Sequence, residues 1–261
     1  MPETPLFGIV ALLGLAIGSF LNVVIHRVPD NKSLVHPGSR CPRCENPIRA
    51  RHNVPVLGWL MLRGRCADCG EPISVRYPLV EAGTAALFVA VAARFGWSWE
   101  LPAYLYLAAV AIALTMIDFD RMRLPNKIVI PSYGVAAVLL TPVSILAGDP
   151  EALLRAAGAA LALYLLYRFL AIFGLGGGDV KLAPLLGFYL GWLGWDAVVV
   201  GAFAGFVIGG LPAIALLISR KVQLKSKIPF GPSMLAGALL AVFAGTPLAT
   251  WYLEQLQLPP V

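Results

Sequence analysis

Charge is what this chain has least of. Only 13% of its 261 residues are Asp, Glu, Lys or Arg, against roughly a quarter in an ordinary soluble domain. Hydrophobic residues make up 59%, and mean hydropathy is +0.78. That excludes a soluble globule and leaves a polytopic membrane protein. Histidine is rarer still, three in all, and neither HExxH nor GxSxG occurs, so the common zinc-protease and serine-hydrolase machinery is missing. There is no basic and aromatic tract, which argues against nucleic acid; the net charge of +6 comes from basic residues gathered in loops. The run GLGGGD (174–179) has no Lys-Ser/Thr after it and no strand before it, so a phosphate cradle is disfavoured. Cysteines number four, and no thioredoxin-like βαβ pattern surrounds them.

What is abundant is long apolar sequence. Runs fall at about 6–25, 79–97, 101–117, 128–148, 152–174, 182–194, 197–218 and 229–252, the sixth being short. The first has no basic residues ahead of it, and His26 and Arg27 follow it, so it reads as a retained helix rather than a cleaved signal. The expected fold is an all-α polytopic membrane protein of about eight transmembrane helices with a cytoplasmic zinc-binding loop domain. Its expected parts are a first helix (1–25), the loop domain (26–78), a transmembrane domain (79–252) and a tail (253–261).

Lysine and arginine set the orientation. Nine of the 20 lie between Arg27 and Arg76, three more (Arg121, Arg123, Lys127) follow the third run, and Arg220, Lys221, Lys225 and Lys227 follow the seventh. The alternate links FGWSWE and GDPE carry none, although Arg94 and Arg155 stand close to them. The positive-inside rule places the basic loops in the cytoplasm and both termini outside. Counting passes then puts Asp118, at the end of the third run, and Asp179, at the end of the fifth, at the same cytoplasmic interface.

The first cytoplasmic loop carries Cys41 and Cys44 in one CxxC and Cys66 and Cys69 in another, with 21 residues between the pairs. That spacing suits a four-thiolate zinc site, and a loop with so few apolar residues needs such a staple. A redox role for Cys-Pro-Arg-Cys is the competing reading. His36 and His52 are left out, because four cysteines already close a tetrahedron.

Acids at membrane depth are costly and usually mark function. Two facing carboxyls can share a proton and so supply both the base and the acid of peptide hydrolysis. The competing readings are solvated loop charges just outside the bilayer and, in a different class, the proton relay of a transporter with a zinc-binding regulatory loop. A transporter predicts internal repeats and acids at the bilayer midplane, and no repeat is visible. A non-enzymatic zinc-dependent scaffold is a third possibility.

Taken together, GSFLNVVIHRVP (18–29), the paired CxxC knuckles, RYPLVE (76–81), IDFDRMRLPN (117–126) and GGGDVKL (176–182) closely resemble the type IV prepilin peptidases. The resemblance implies a bifunctional enzyme of the bacterial inner membrane serving pilus or type II secretion systems. Such an enzyme cuts the leader of prepilins and pseudopilins after a glycine at the cytoplasmic face, then methylates the new N-terminal amine with S-adenosylmethionine. The GxGD motif falls on Gly176 to Asp179, with Gly176 and Gly178 in support and Asp179 as one catalytic aspartate. Its partner is expected to be Asp118, seven residues ahead of Pro125, with Asp120 as the fallback. No residues are assigned to S-adenosylmethionine.

Overall fold

The structure, a computed structural model, describes residues 4–219 and 229–256. Arg220, Lys221, Lys225 and Lys227 of the third basic link, and the end of the expected tail, lie outside the described residues. Among those described, regular structure is helical apart from two isolated bridges. Nine α-helices follow one another: α1 (Thr4–Arg27), α2 (Leu57–Met61), α3 (Arg76–Phe95), α4 (Leu101–Arg121), α5 (Asn126–Ala147), α6 (Pro150–Leu170), α7 (Gly177–Leu193), α8 (Trp195–Ile218) and α9 (Gly231–Gln255). Seven of them are long and apolar enough to cross a membrane. The remaining expected run, the short sixth at 182–194, is α7, whose 17 residues include 11 buried ones, so it is a helix enclosed by protein on most sides. The chain is a multi-pass membrane protein with two compact units, Met1–Ala113 and Leu114–Val261.

Without a hydrophobic drive between helices in lipid, association depends on close backbone contact, which small residues four apart permit. Three antiparallel pairs are built this way. In the first unit, a Cβ on Gly14 would lie 2.6 Å from Ala85 Cα and one on Gly18 2.7 Å from Glu81 Cα. One turn on, the Asn22 side chain donates to the Tyr77 carbonyl at 3.1 Å, which closes the α1–α3 seam. In the second unit, a Cβ on Gly187 would come within 2.8 Å of Ala160 Cα and one on Gly191 within 2.9 Å of Ala156 Cα, seating α7 against α6. Gly201, Gly205 and Gly209 of α8 likewise oppose Ala238, Met234 and Phe230 in and just before α9.

Helix ends are satisfied locally. Asp149 caps α6 by accepting from the Ala152 N–H at 3.1 Å, with Pro150 at the first helical position. Arg155 donates to the Gly191 and Trp192 carbonyls at 2.8 and 2.9 Å, neutralising the C-terminal end of α7. Helix α7 touches α5, α6, α8 and α9, and its first turn carries Asp179.

Candidate active site

Asp118 sits in the last turn of α4 and Asp179 is the third residue of α7. Both belong to the second unit, and both are buried, at 4% and 8% exposure. The Asp118 charge acts on Asp179, so the fold brings the two sequence-selected carboxyls into one electrostatic neighbourhood. Asp120, two residues along the same helix, is exposed.

Each carboxylate accepts a main-chain N–H at a helix start. Asp179 reaches back to the Gly176 N–H, the reciprocal contact of a capping box. Asp118 accepts from the Gly231 N–H, at the first position of α9. The glycine pattern follows from this geometry. A Cβ at Gly176 would lie 2.8 Å from Asp179 Oδ2, and one at Gly178 would press on Leu124 at 3.3 Å, whereas Gly177 faces open space. A side chain at residue 176 would therefore displace the Asp179 carboxyl and one at residue 178 would crowd Leu124, whereas residue 177 is unconstrained by packing.

The Lys181 ammonium donates to the Asn126 side chain at 3.1 Å, and its carbonyl accepts from the Tyr133 hydroxyl, tying α7 to α5. Three residues at the site were not singled out from sequence. Gly231 contacts Asp118, Leu124 packs between Gly178 and Gly231, and Tyr167 lies within electrostatic reach of Asp179 at 2% exposure. The only advance signal for Gly231 is the Pro-Phe-Gly-Pro stretch ahead of an apolar run, a helix-start pattern.

The cysteines form the second cluster, in the first unit. Each CxxC lies on the same knuckle: Cys41 N–H donates to the Asn46 carbonyl and Cys66 N–H to that of Glu71, while Arg40 pairs with Pro47 and Arg65 with Pro72. The residue after the second cysteine takes a left-handed conformation in both, Glu45 at φ 58 and Gly70 at φ 73. All four sulfurs lie within 4.8 Å of one another, and Cys41 and Cys69 Sγ are 3.8 Å apart, too far for a disulfide. The Cys44 and Arg43 N–H groups pull the Cys41 thiol down to about 7. Cys69, in spite of the Glu71 N–H, is pushed up to about 12 by lost hydration and the neighbouring sulfurs. Four thiols this close ionise together only around a cation, so the cluster is able to hold a metal ion. No histidine joins it among the described residues.

Residues 12–95 match the family described as Bacterial Peptidase A24 N-terminal domain, and residues 105–214 match the Type IV leader peptidase family. The chain is similar to a protein of Aeromonas hydrophila named prepilin leader peptidase/N-methyltransferase, at 38% identity over 95% of this chain and 93% of that one. Proteins of the same name from Neisseria gonorrhoeae and Myxococcus xanthus are 37% and 42% identical. The first alignment covers 86% of this chain and 85% of the relative, the second 81% and 64%. No solved structure matches the chain.

Proposed function

The chain belongs to the type IV leader peptidase family, and from that premise we propose that it removes the leader of prepilin-like substrates through Asp118 and Asp179, then methylates the new N-terminus. The observation that carries the peptidase reading is the burial of both acids in the second unit, with the Asp118 charge felt at Asp179 and each carboxyl beside the backbone of a helix start. Hydrolysis of an amide without a nucleophilic side chain needs a group to take a proton from water and another to give one to the departing amine. Two adjacent carboxyls supply both roles, and peptide enters between α4 and α7 with its glycine junction at the pair. Asp120, exposed on the same turn, is the fallback partner.

Zinc is the proposed occupant of the cysteine cluster. Tetrahedral zinc with bonds of about 2.3 Å separates its sulfurs by about 3.8 Å, and Cys41 and Cys69 meet that spacing. Bound zinc would be structural, held by Cys41, Cys44, Cys66 and Cys69, and would fix the 26–78 loop domain ahead of the 79–252 peptidase domain. S-adenosylmethionine is the proposed methyl donor of the second reaction, a co-substrate for which no residues are assigned. The proposed setting is the bacterial inner membrane, with both termini outside and the loop domain and acids on the cytoplasmic side. Prepilins or secretion pseudopilins are the proposed partners, and the lipid bilayer is the medium.

The test is single replacement of Asp118, Asp120 and Asp179 by asparagine, followed by leader removal from a prepilin in membranes. Asp118→Asn and Asp179→Asn should lower cleavage by at least about 10³-fold, and Asp120→Asn by less than about threefold. Normal cleavage by either of the first two variants refutes the pair. A transporter would lack cleavage altogether.

A further inference from the structure

Residue 231 lies outside both segments matched to the family, 12–95 and 105–214, yet its backbone touches one of the two acids. Helix α9 begins without a side-chain cap: Phe230 at the cap position makes no such bond. A helix start presents N–H groups that need acceptors. Here the accounting is short. Pro232 has no N–H, and the Ser233 and Met234 amides both turn back to the Phe230 carbonyl, at 3.0 and 3.1 Å. Gly231 is left to donate outward, on the side where the Asp118 carboxylate lies. An anion at that position also meets the positive end of the helix dipole.

Two further contacts fix where that N–H points. Phe230 packs against Phe206 at 5.4 Å and Tyr167 at 6.4 Å between ring centroids, and Tyr167 and Phe206 stack at 5.6 Å, so α6, α8 and the start of α9 meet in one aromatic cluster. Behind it, a Cβ on Gly209 would stand 2.8 Å from Phe230 Cε2, so α8 supports the ring at close range. In front, Gly231 has no room of its own. A Cβ there would lie 2.8 Å from Asp118 Oδ2 and 3.2 Å from both Leu124 methyl carbons.

We propose that Gly231 is a positioning residue for leader cleavage: its N–H, aimed by the Phe230 cluster, holds the Asp118 carboxylate in register with Asp179, and its missing side chain keeps that carboxylate in place. The inference rests on the reading of Asp118 as catalytic. Misplacing a reacting group by about 1 Å costs on the order of 100-fold in rate, and a methyl group on residue 231 forces a shift of several tenths of an ångström at Asp118 or in α9.

Purified full-length enzyme is assayed with a synthetic prepilin peptide spanning the leader junction, and separately for methylation of an already cleaved pilin. Gly231→Ala should lower kcat for cleavage by about 10- to 100-fold, with KM and methylation within about twofold of the parent. Phe230→Leu, which keeps Gly231 and removes the ring contacts, should lower kcat by a smaller factor with KM unchanged. The double variant Gly231→Ala with Leu124→Ala should stay as slow as Gly231→Ala, because only the Leu124 crowding has been relieved. Parent-like kcat in Gly231→Ala overturns the proposal. So does recovery in the double variant, or an indifferent Phe230→Leu if Gly231→Ala fails to fold. Asp118→Asn is run in parallel: if it cleaves normally, the reading of Asp118 fails. If it is inactive while Gly231→Ala is active, only the role of Gly231 fails.

Discussion

At the scale of single residues, thiols and carboxyls are arranged by the same device, a backbone N–H directed at an anion. In the first cysteine knuckle the Cys44 and Arg43 N–H groups favour the Cys41 thiolate, which offers a metal one ready ligand near neutral pH. Binding free energy of such a site is of the order of 10–16 kcal/mol spread over four ligands, so loss of one thiolate should weaken zinc by about 100-fold. The purified protein is therefore expected to carry about one zinc per chain, and Cys44→Ser to lose it on dialysis and expose the 26–78 loop to trypsin. Metal analysis and limited proteolysis check this, and full retention of zinc by the variant would remove Cys44 from the ligand set. The cysteines were legible in the sequence because ligand spacing is local: two residues within each knuckle fix the geometry. Gly176 and Gly178 were legible only as a motif, and the physical reasons are contacts with Asp179 Oδ2 and Leu124 that spacing does not reveal. Gly231 was legible only as part of a helix start, and its contact with Asp118 not at all, since more than 100 residues separate the two in the sequence.

At the scale of elements, hydropathy located the spans but not their partners. The apolar runs at 6–25 and 79–97 became α1 and α3, yet nothing in their hydropathy states that they pair. The pairing is carried by Gly14, Gly18 and Asn22 facing Ala85, Glu81 and Tyr77, a register readable only once both helices are in place. Glu81 adds a second tie, accepting the Val56 N–H at 2.7 Å and so anchoring the loop before α2 to α3. If close backbone contact holds this pair, a large side chain at the seam should cost about 1–3 kcal/mol, and the same side chain elsewhere on α1 nothing. Gly18→Leu is expected to lower the Tm of the detergent-solubilised protein by several degrees. Gly8→Leu, at an exposed position with no neighbour within 4 Å, should leave it unchanged. Equal Tm values for the two variants would contradict the seam.

At the scale of the whole molecule, the number of crossings decides on which side the chain ends, and α7 decides the number. Its 17 residues span about 25 Å, short of the roughly 30 Å hydrocarbon core. Two features show that it nevertheless runs the length of its neighbour. Its C-terminal carbonyls are bound by Arg155 in the second turn of α6, and its N-terminal Asp179 lies within reach of Tyr167 in the last turn of α6. The two helices are antiparallel over nearly all of α6, and protein on four sides spares α7 the need to match the lipid. Within the second unit, Asp118 at the end of α4 lies beside Gly231 and its charge reaches Asp179, which gathers the end of α4 and the starts of α7 and α9 at one level. With eight crossings and the basic 26–78 loop inside, the C-terminus is expected outside the cell membrane. Alkaline phosphatase fused after residue 256 should be active, as should a fusion at Gly148, whereas a fusion at Asn126 should be inactive. An inactive C-terminal fusion beside an active Gly148 fusion would mean that α7 re-enters without crossing, and the shared level of Asp118 and Asp179 would then need another topology.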